Sequence, residues 1–156
     1  MSGERYAERA VKALKDYVTS NLAAYLRAVE TAQGLDEDSL TDPVAYLDYA
    51  APDDYRSPMV MVWTDGGEVE DWQHQIESYD CTVALLYSGD ANIGAGQIKM
   101  RRYLTALLQC LRADRTLGGN VQAAIDEDRE LNVSTGKNSV TWHELTVGVT
   151  VRLMEE

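Results

Sequence analysis

Leu145-Thr146-Val147-Gly148-Val149-Thr150-Val151-Arg152-Leu153 alternates apolar and polar residues from one end to the other. A period of two is that of a β-strand that buries one face and exposes the other. This stretch is predicted to belong to a return strand, Ser139–Met154, that pairs with Arg129–Thr135 across a turn at Gly136-Lys137-Asn138. The chain is therefore expected to end in an antiparallel hairpin.

Two more strands are predicted earlier in the chain. Pro58–Thr64 is apolar at nearly every position, so both of its faces should be covered by other parts of the protein. Asp65-Gly66-Gly67 is a turn signal, and a second strand is predicted after it, from about Glu70 to Tyr87. Ser88-Gly89-Asp90 should end that strand.

Two long helices are predicted beside these strands. Glu4–Ala32 carries apolar residues at spacings of three and four, and Asn92–Ala113 carries a stripe of leucines of the same kind. Asn120–Asp126 could form one short helical turn. The fold class is therefore α+β: a single domain, 1–156, with an antiparallel sheet of about four strands packed by two main helices. The order is helix-strand-strand-helix-strand-strand.

The connection Leu35–Ser57 is predicted to be an irregular acidic insertion. It contains seven acidic residues, one base and two prolines, with tyrosines interleaved. A loop of this length in a compact domain either has a function or contains a short helix. Val44–Tyr49, behind the cap-like Thr41-Asp42-Pro43, is the candidate for such a helix.

Charge limits the functions that are open to the chain. The net charge is −12, and the segment between Ala28 and Ile98 holds fifteen acidic residues and a single base, Arg56. Such a surface repels nucleic acid, because binding DNA requires Lys and Arg to displace counterions from phosphates. An acidic surface can still meet a basic partner or line a passage through which DNA moves without sticking.

The segment Gly89–Gly96 comes closest to a phosphate-binding motif, since it lies between a strand and a helix. A phosphate-binding loop needs Lys and then Ser or Thr after its second glycine, but Ala95 and Gly96 follow Gly94. Asp90 would also repel a phosphate. The segment is therefore predicted to be a turn in which Asp90 or Asn92 caps the next helix.

No metal site is predicted, and no cofactor. His74 and His143 have no Cys or second His at ligand spacing, so both are expected at the surface or at a sheet edge. The acidic clusters 68–71 and 126–128 are expected to be solvated faces. No arrangement typical of nucleophilic catalysis is found, and an enzymatic activity is not expected.

Cys81 and Cys110 are predicted to be reduced core residues, because one lies in a strand-like run and the other in a helix-like run. The N-terminal residues have no apolar stretch and no cleavage site, so they do not form a secretory signal. No apolar run is long enough to span a membrane. The chain is expected to be soluble and made in a cytoplasm.

The predicted second helix is the basic element of the chain. Lys99, Arg101 and Arg102 lie near its start, without the interleaved aromatic residues that nucleic-acid binding would require. The alternative is that this patch meets an acidic face of another copy of the same protein. Such head-to-tail association generates rings.

Five segments carry a resemblance to a known family. They are the opening helix Glu4–Ala32, the strand Pro58-Met59-Val60-Met61-Val62-Trp63, the helix Gln97–Ala113 after a Gly-rich break, and the closing segments Asn132-Val133-Ser134-Thr135 and Leu145–Leu153. In this order they resemble the tail terminator, or tail completion, proteins of long-tailed phages over most of the chain.

The resemblance implies a structural protein of the virion tail or neck, present in the host cytoplasm during assembly. It implies a hexameric ring that caps the tail tube, ends tube polymerisation and offers a docking interface for the head. Its partners would be other copies of itself, the tail tube protein and a neck or head-closure protein, with no membrane involved. DNA would pass through the ring without specific binding.

Under this resemblance, two sets of residues are candidates for function. The acids expected to line the lumen are Asp36, Glu37, Asp38, Glu68, Glu70 and Asp71. The residues expected to contact another subunit or the tube are Lys99, Arg101, Arg102, Gly136, Lys137, Asn138, Asp53, Asp54 and Arg56.

Other functions remain open at this point. A head-closure or neck connector protein would share most of these features. An acidic binding module or inhibitor would occupy a basic partner and act as a monomer or dimer. A hydrolase that uses an acidic cluster with a metal is the third alternative.

Overall fold

The structure is a computed structural model that describes residues 3–71, 73, 76–89, 92–119, 121–135 and 141–154. The predicted α+β class is confirmed, and the predicted turn Gly136-Lys137-Asn138 and His74 lie outside the described residues. The elements are α1 (Gly3–Ala32), β1 (Ala45–Leu47), β2 (Met59–Asp71), β3 (Ile76–Tyr87), α2 (Ile93–Ala113), β4 (Val121–Thr135) and β5 (Thr141–Met154).

The sheet has five strands in the order β1-β2-β3-β5-β4. β1 pairs with β2 in parallel, and the other three pairings are antiparallel, so the sheet is mixed. The predicted antiparallel sheet of about four strands describes the long strands and misses β1. The pairing of β3 with β5, for example Leu85 opposite Leu145, joins the first half of the chain to the second.

Both helices pack on one face of the sheet. α1 lies toward the β1 edge, where it contacts β1, β2 and β3, while α2 contacts β5 and β4 at the other side. The apolar stripe of α1 is fully buried at Leu14, Leu22 and Leu26. Burial of each such leucine contributes roughly 1.5–3 kcal/mol, so this stripe fixes the helix on the sheet. The predicted inward face of the last strand, Leu145 to Leu153, is also buried.

A smaller apolar cluster lies on the opposite face of the sheet. Met59, Met61, Ala84 and Leu86 are buried there. The connection between β1 and β2 reaches this face, because the ring of Tyr55 packs edge-on against Trp142 with 6.2 Å between centroids. The prediction that Pro58–Thr64 is covered on both sides is therefore confirmed for its first half.

The predicted turn at Asp65-Gly66-Gly67 is wrong, because β2 continues through it to Asp71. A register shift between Thr64 and Gly66 accommodates the extra residue as a bulge. A Cβ on Gly67 would overlap the Ser78 carbonyl oxygen and lie 2.9 Å from the Tyr79 Cα. The glycine thus permits close approach of two strands, and the second strand begins at Ile76 and not at Glu70.

Two short helices that the sequence suggested are also wrong. Residues 121–126 belong to β4, which starts at Val121 and contains a register shift between Ile125 and Arg129. Within Val44–Tyr49 the chain forms β1, because β2 supplies a partner strand: the Val44 N–H donates to the Pro58 carbonyl at 2.8 Å. Tertiary pairing overrides local propensity at both places.

Candidate functional surfaces

The acidic connection between α1 and β1 is held to α1 by contacts with Arg27 and Glu30, which form an ion pair within the helix. The Arg27 Nε lies 2.7 Å from the carboxylate of Glu30, whose side chain is only 2% exposed. The other Glu30 oxygen accepts the Leu40 N–H at 2.7 Å. The guanidinium also contacts the carboxylates of Asp38 and Asp42. Three carboxylates, one from the helix and two from the connection, therefore converge on one arginine.

A second contact holds the same connection to α2. The Tyr103 hydroxyl donates to the Thr41 carbonyl at 2.7 Å, and the ring is fully buried. Burial raises the pKa of this phenol, so it keeps the proton that it donates. The acidic connection is thus fixed at both helices and presents its remaining carboxylates from a defined position.

The edge of the sheet at β1 is acidic and partly apolar. The connection 33–57, which contains β1, carries seven acidic residues and one base. Val44 and Tyr49 flank β1 with 54% and 51% of their surface exposed, and Asp48 is exposed beside them. A group of exposed apolar side chains that is surrounded by polar residues is typical of an interaction surface.

The opposite edge of the sheet, at β4, is partly apolar and lies beside the basic helix α2. α2 flanks this edge and carries four bases and no acid. On β4, Leu131 and Val133 face the helix side of the sheet but are 45% and 37% exposed, because no element covers them. β4 itself carries four acids and one base, so the basic surface near this edge belongs to α2. Each edge of the sheet carries exposed apolar side chains.

A groove of about 260 Å³ lies between α2 and β4. Its lining consists of apolar and polar residues of α2, β4 and β5. They are Gln97, Met100, Arg101, Leu131, Asn132, Val133, His143 and Glu144. In the part of the chain that the structure describes, neither Arg101 nor Glu144 makes an ion pair.

His143 forms the floor of this groove and is 2% exposed, so the expectation of a surface or edge histidine is wrong. Its ring packs on the backbone of Gly96: a Cβ at that position would lie 2.6 Å from the His143 Cε1 and would clash with the ring. The glycine before the basic patch therefore permits close contact between α2 and β5. It has no role in phosphate binding that the geometry supports.

The three predicted basic interface residues do not share one environment. Lys99 bends back onto β3, where its Nζ donates to the Tyr87 hydroxyl at 2.8 Å and lies 5.1 Å from the ring centroid. Arg101 is exposed and lines the groove. Arg102 is partly exposed beside it. Of the predicted patch, Arg101 is the residue best placed to meet another molecule.

A cleft on the sheet face away from the helices gathers Glu68 and Glu70 from β2 with Asp80 from β3. Thr150 on β5 lies between Asp80 and Asp126, at 3.3 and 3.0 Å from their carboxylates. Two bases, Arg115 and Arg152, also line this cleft. Arg152 pairs with Glu70 at 3.0 Å, and both side chains are more than a third exposed. The result is a broad, solvated acidic face.

The six predicted lumen acids lie in two separate groups. Glu68, Glu70 and Asp71 are at the end of β2, near the N-terminal part of α1, where Trp63 and Glu8 line one cleft. The segment 36–38 follows the C-terminal end of α1, which has 30 residues and is about 45 Å long. Asp53, Asp54 and Arg56 are exposed in the connection between β1 and β2.

No nucleophile or metal centre is found among the described residues. Cys81 and Cys110 are buried, and burial raises the pKa of each thiol to about 12, so neither forms a reactive thiolate near neutral pH. Among the described residues, no three or more His, Cys, Asp or Glu side chains are placed so that together they could hold a metal ion. Asn92 caps α2 by accepting the Ala95 N–H at 2.7 Å, as predicted for Asp90 or Asn92.

The exposed pair Leu131 and Val133 was not predicted from the sequence, and neither was the contact of Asp80 with the predicted acidic cluster at Asp126. Leu131 and Val133 alternate with polar residues as a core-facing strand would, and only the position of β4 at the sheet edge leaves them uncovered. Asp80 and Asp126 meet through Thr150, which depends on the register of three strands. Neither feature has a signal in the local sequence.

Comparison with known proteins finds similarity to solved structures but not to curated sequences. No protein-family model matches the chain, and no curated protein is significantly similar in sequence. A chain of the "Virion of native gene transfer agent (GTA) particle" aligns with 88% of this chain and 98% of its own length, at 12% identity and a TM-score of 0.46. Across the described ranges, no helix is long and apolar enough to cross a membrane.

Proposed function

We propose that this protein is a structural component of a virion, which associates head-to-tail into a hexameric ring that caps a tail tube. The observation that supports the ring is the contrast between the acidic connection around β1 and the basic helix α2, which lie toward opposite edges of the sheet. Seven acids and one base lie in the connection around β1, while four bases and no acid lie on α2 beside β4.

Opposite charges at opposite edges favour contact between different surfaces of two copies. Such a heterologous contact repeats from copy to copy, and it closes into a ring when the rotation per subunit divides the circle. Exposed Val44 and Tyr49 on one edge, and Leu131 and Val133 on the other, add the apolar area that a stable interface requires. Charge steers the encounter and fixes its direction.

The acidic sheet face supports the second part of the proposal, the passage of DNA. Glu68, Glu70 and Asp80 line a solvated surface that Asp126 extends and that two bases, Arg115 and Arg152, border. Lining a ring with this surface would prevent phosphates from binding, because no counterions are displaced. We also propose contacts that cap the tube and dock the head. The residues proposed for these contacts include Asp53, Asp54, Arg56 and Gly136-Lys137-Asn138.

The native mass across a concentration series, with negative-stain images of the heaviest species, tests this function. We expect a ring of about six copies with a central opening wide enough for duplex DNA. The Arg101→Glu/Arg102→Glu variant should assemble less well, and wild-type assembly should weaken at high salt. A strict monomer at every concentration, with or without added tail tubes, would overturn the proposal.

The acidic sheet face also favours a second candidate, a binding module that occupies a basic partner. Glu68, Glu70, Asp80 and Asp126 form a surface that no helix covers. In that case the protein would remain a monomer or dimer and would bind a basic protein in a salt-sensitive way. Ring formation separates the two functions. A head-closure role would give a ring as well, and the tail tube would then not bind it directly.

A further inference from the structure

The groove between α2 and β4 has the properties of a receptor for a side chain of another protein molecule. Its volume of about 260 Å³ is below the roughly 300–1,000 Å³ of sites for small molecules, so it fits one large side chain better than a metabolite. Leu131 and Val133 give it an apolar wall that is left partly exposed to water in the single chain. Arg101 stands on the same groove without a paired carboxylate among the described residues.

The opposite edge of the sheet offers a matching side chain. Tyr49 lies two residues after the end of β1 and is 51% exposed. The residue between them, Asp48, is exposed as well. A tyrosine has a large apolar ring and a polar tip, the combination that recurs in the centre of protein interfaces. The adjacent Asp48 supplies a carboxylate for Arg101, which has no ion-pair partner among the described residues.

We propose that the α2–β4 groove of one copy receives Tyr49 of the adjacent copy, with Asp48 of that copy paired to Arg101. This inference rests on the proposed head-to-tail assembly and names its contact. The ring of Tyr49 packs between Leu131 and Val133.

The floor of the groove is part of the packed core. The shape of the groove is therefore fixed, which makes the contact specific. Its floor is the buried His143, and that ring lies on the Gly96 backbone without free space. The floor cannot recede to admit a larger group, so the depth of the groove is fixed. A preorganised receptor of this kind loses little conformational entropy on binding.

A charge exchange between the two edges tests the contact in the full-length protein. Arg101→Glu alone and Asp48→Arg alone should each weaken self-association about tenfold or more, measured by sedimentation velocity. The chain that carries both changes should regain association to within about threefold of wild type, because the pair is restored with its signs reversed. Tyr49→Ala should weaken association about 30-fold.

Arg112→Glu is the matched control, because Arg112 is an exposed base on the last turn of α2 and does not line the groove. It removes the same charge from the same helix and should change association by less than about threefold. Equal loss in Arg112→Glu and Arg101→Glu, with no recovery in the exchanged pair, would overturn the groove contact. Rings that still form in all of these variants would overturn it too, while leaving the proposed ring intact.

Disulfide formation gives a second, direct readout. The native thiols are buried, so a mixture of Tyr49→Cys and Val133→Cys proteins should form a mixed covalent dimer under mild oxidation. A mixture of Tyr55→Cys and Val133→Cys proteins is the control and should form far less. No mixed dimer at protein concentrations at which Tyr49→Ala assembles would contradict the inference. A wild type that never assembles would remove the proposed function and this contact together.

Discussion

Replacing Arg27 with methionine should leave a carboxylate buried without its counter-charge. Glu30 is 2% exposed and lies 2.7 Å from the Arg27 Nε. Removing one partner of a buried pair costs about 3–5 kcal/mol. Arg27 itself is 27% exposed, so water screens part of the interaction, and the lower end of that range, about 3 kcal/mol, is the expected loss of unfolding free energy.

Urea denaturation followed by tryptophan fluorescence measures this loss. For a chain of this size, about 3 kcal/mol also corresponds to a melting temperature lower by roughly 6–12 °C. The variant Arg27→Met/Glu30→Gln removes the buried negative charge as well. The amide oxygen that this change introduces at position 30 can still accept the Leu40 N–H, which Glu30 accepts at 2.7 Å. It should lie within about 1 kcal/mol of wild type.

Arg152→Met is the matched control, since Arg152 pairs with Glu70 at 3.0 Å where both side chains are more than a third exposed. A solvent-exposed pair contributes about 0–1 kcal/mol, so this variant should be nearly as stable as wild type. The reasoning fails if Arg27→Met costs no more than Arg152→Met, or if the double variant is no more stable than Arg27→Met alone.

Three further outcomes follow from burial and close packing. Gly96→Ala should lower the unfolding free energy by about 1–3 kcal/mol despite its better helix propensity, because the new methyl clashes with a buried ring; Gly94→Ala, with its nearest atom at 3.4 Å, should be neutral or slightly stabilising in the same urea titration. Cys81 and Cys110 should not react with Ellman's reagent in the folded protein at about pH 8 and should both react in guanidinium, since burial raises the pKa of each to about 12; rapid labelling of the native protein would contradict this. Burial also raises the pKa of Tyr17 to about 12, so its contribution to stability is complete below about pH 10 and is lost as the pH rises toward 12; Tyr17→Phe should show a shallower alkaline decline by circular dichroism, and an unchanged slope would argue against it.

The elements that sequence predicted well are those whose pattern is complete within one segment. α1 and α2 were predicted within two residues of their observed bounds, because their apolar spacing and the Asn92 cap are local. The last strand was predicted from its own alternation. In each case the residues that decide the structure stand next to one another in the chain.

The elements that were missed depend on a partner elsewhere in the chain. Gly67 looks like a turn residue until Ser78 is placed against it. Ala45–Leu47 has a strand partner only because β2 lies beside it. The same limit applies to the surfaces: Arg101 was predicted as an interface residue from its charge, but the exposure of Leu131 depends on β4 being the last strand of the sheet.

The pairing of β3 with β5 has a consequence for how the chain folds. α1 with β2 and β3, and α2 with β4 and β5, are each a helix followed by a hairpin of sequence neighbours. Only the β3–β5 ladder, from Ile76 opposite Met154 to Tyr87 opposite His143, joins these halves within the sheet. Local hairpins form before distant strands meet, because loop closure is slow and entropically unfavourable. We therefore expect the docking of the two halves along this seam to be the step that commits the molecule to its native state, so that substitutions in the ladder should slow folding.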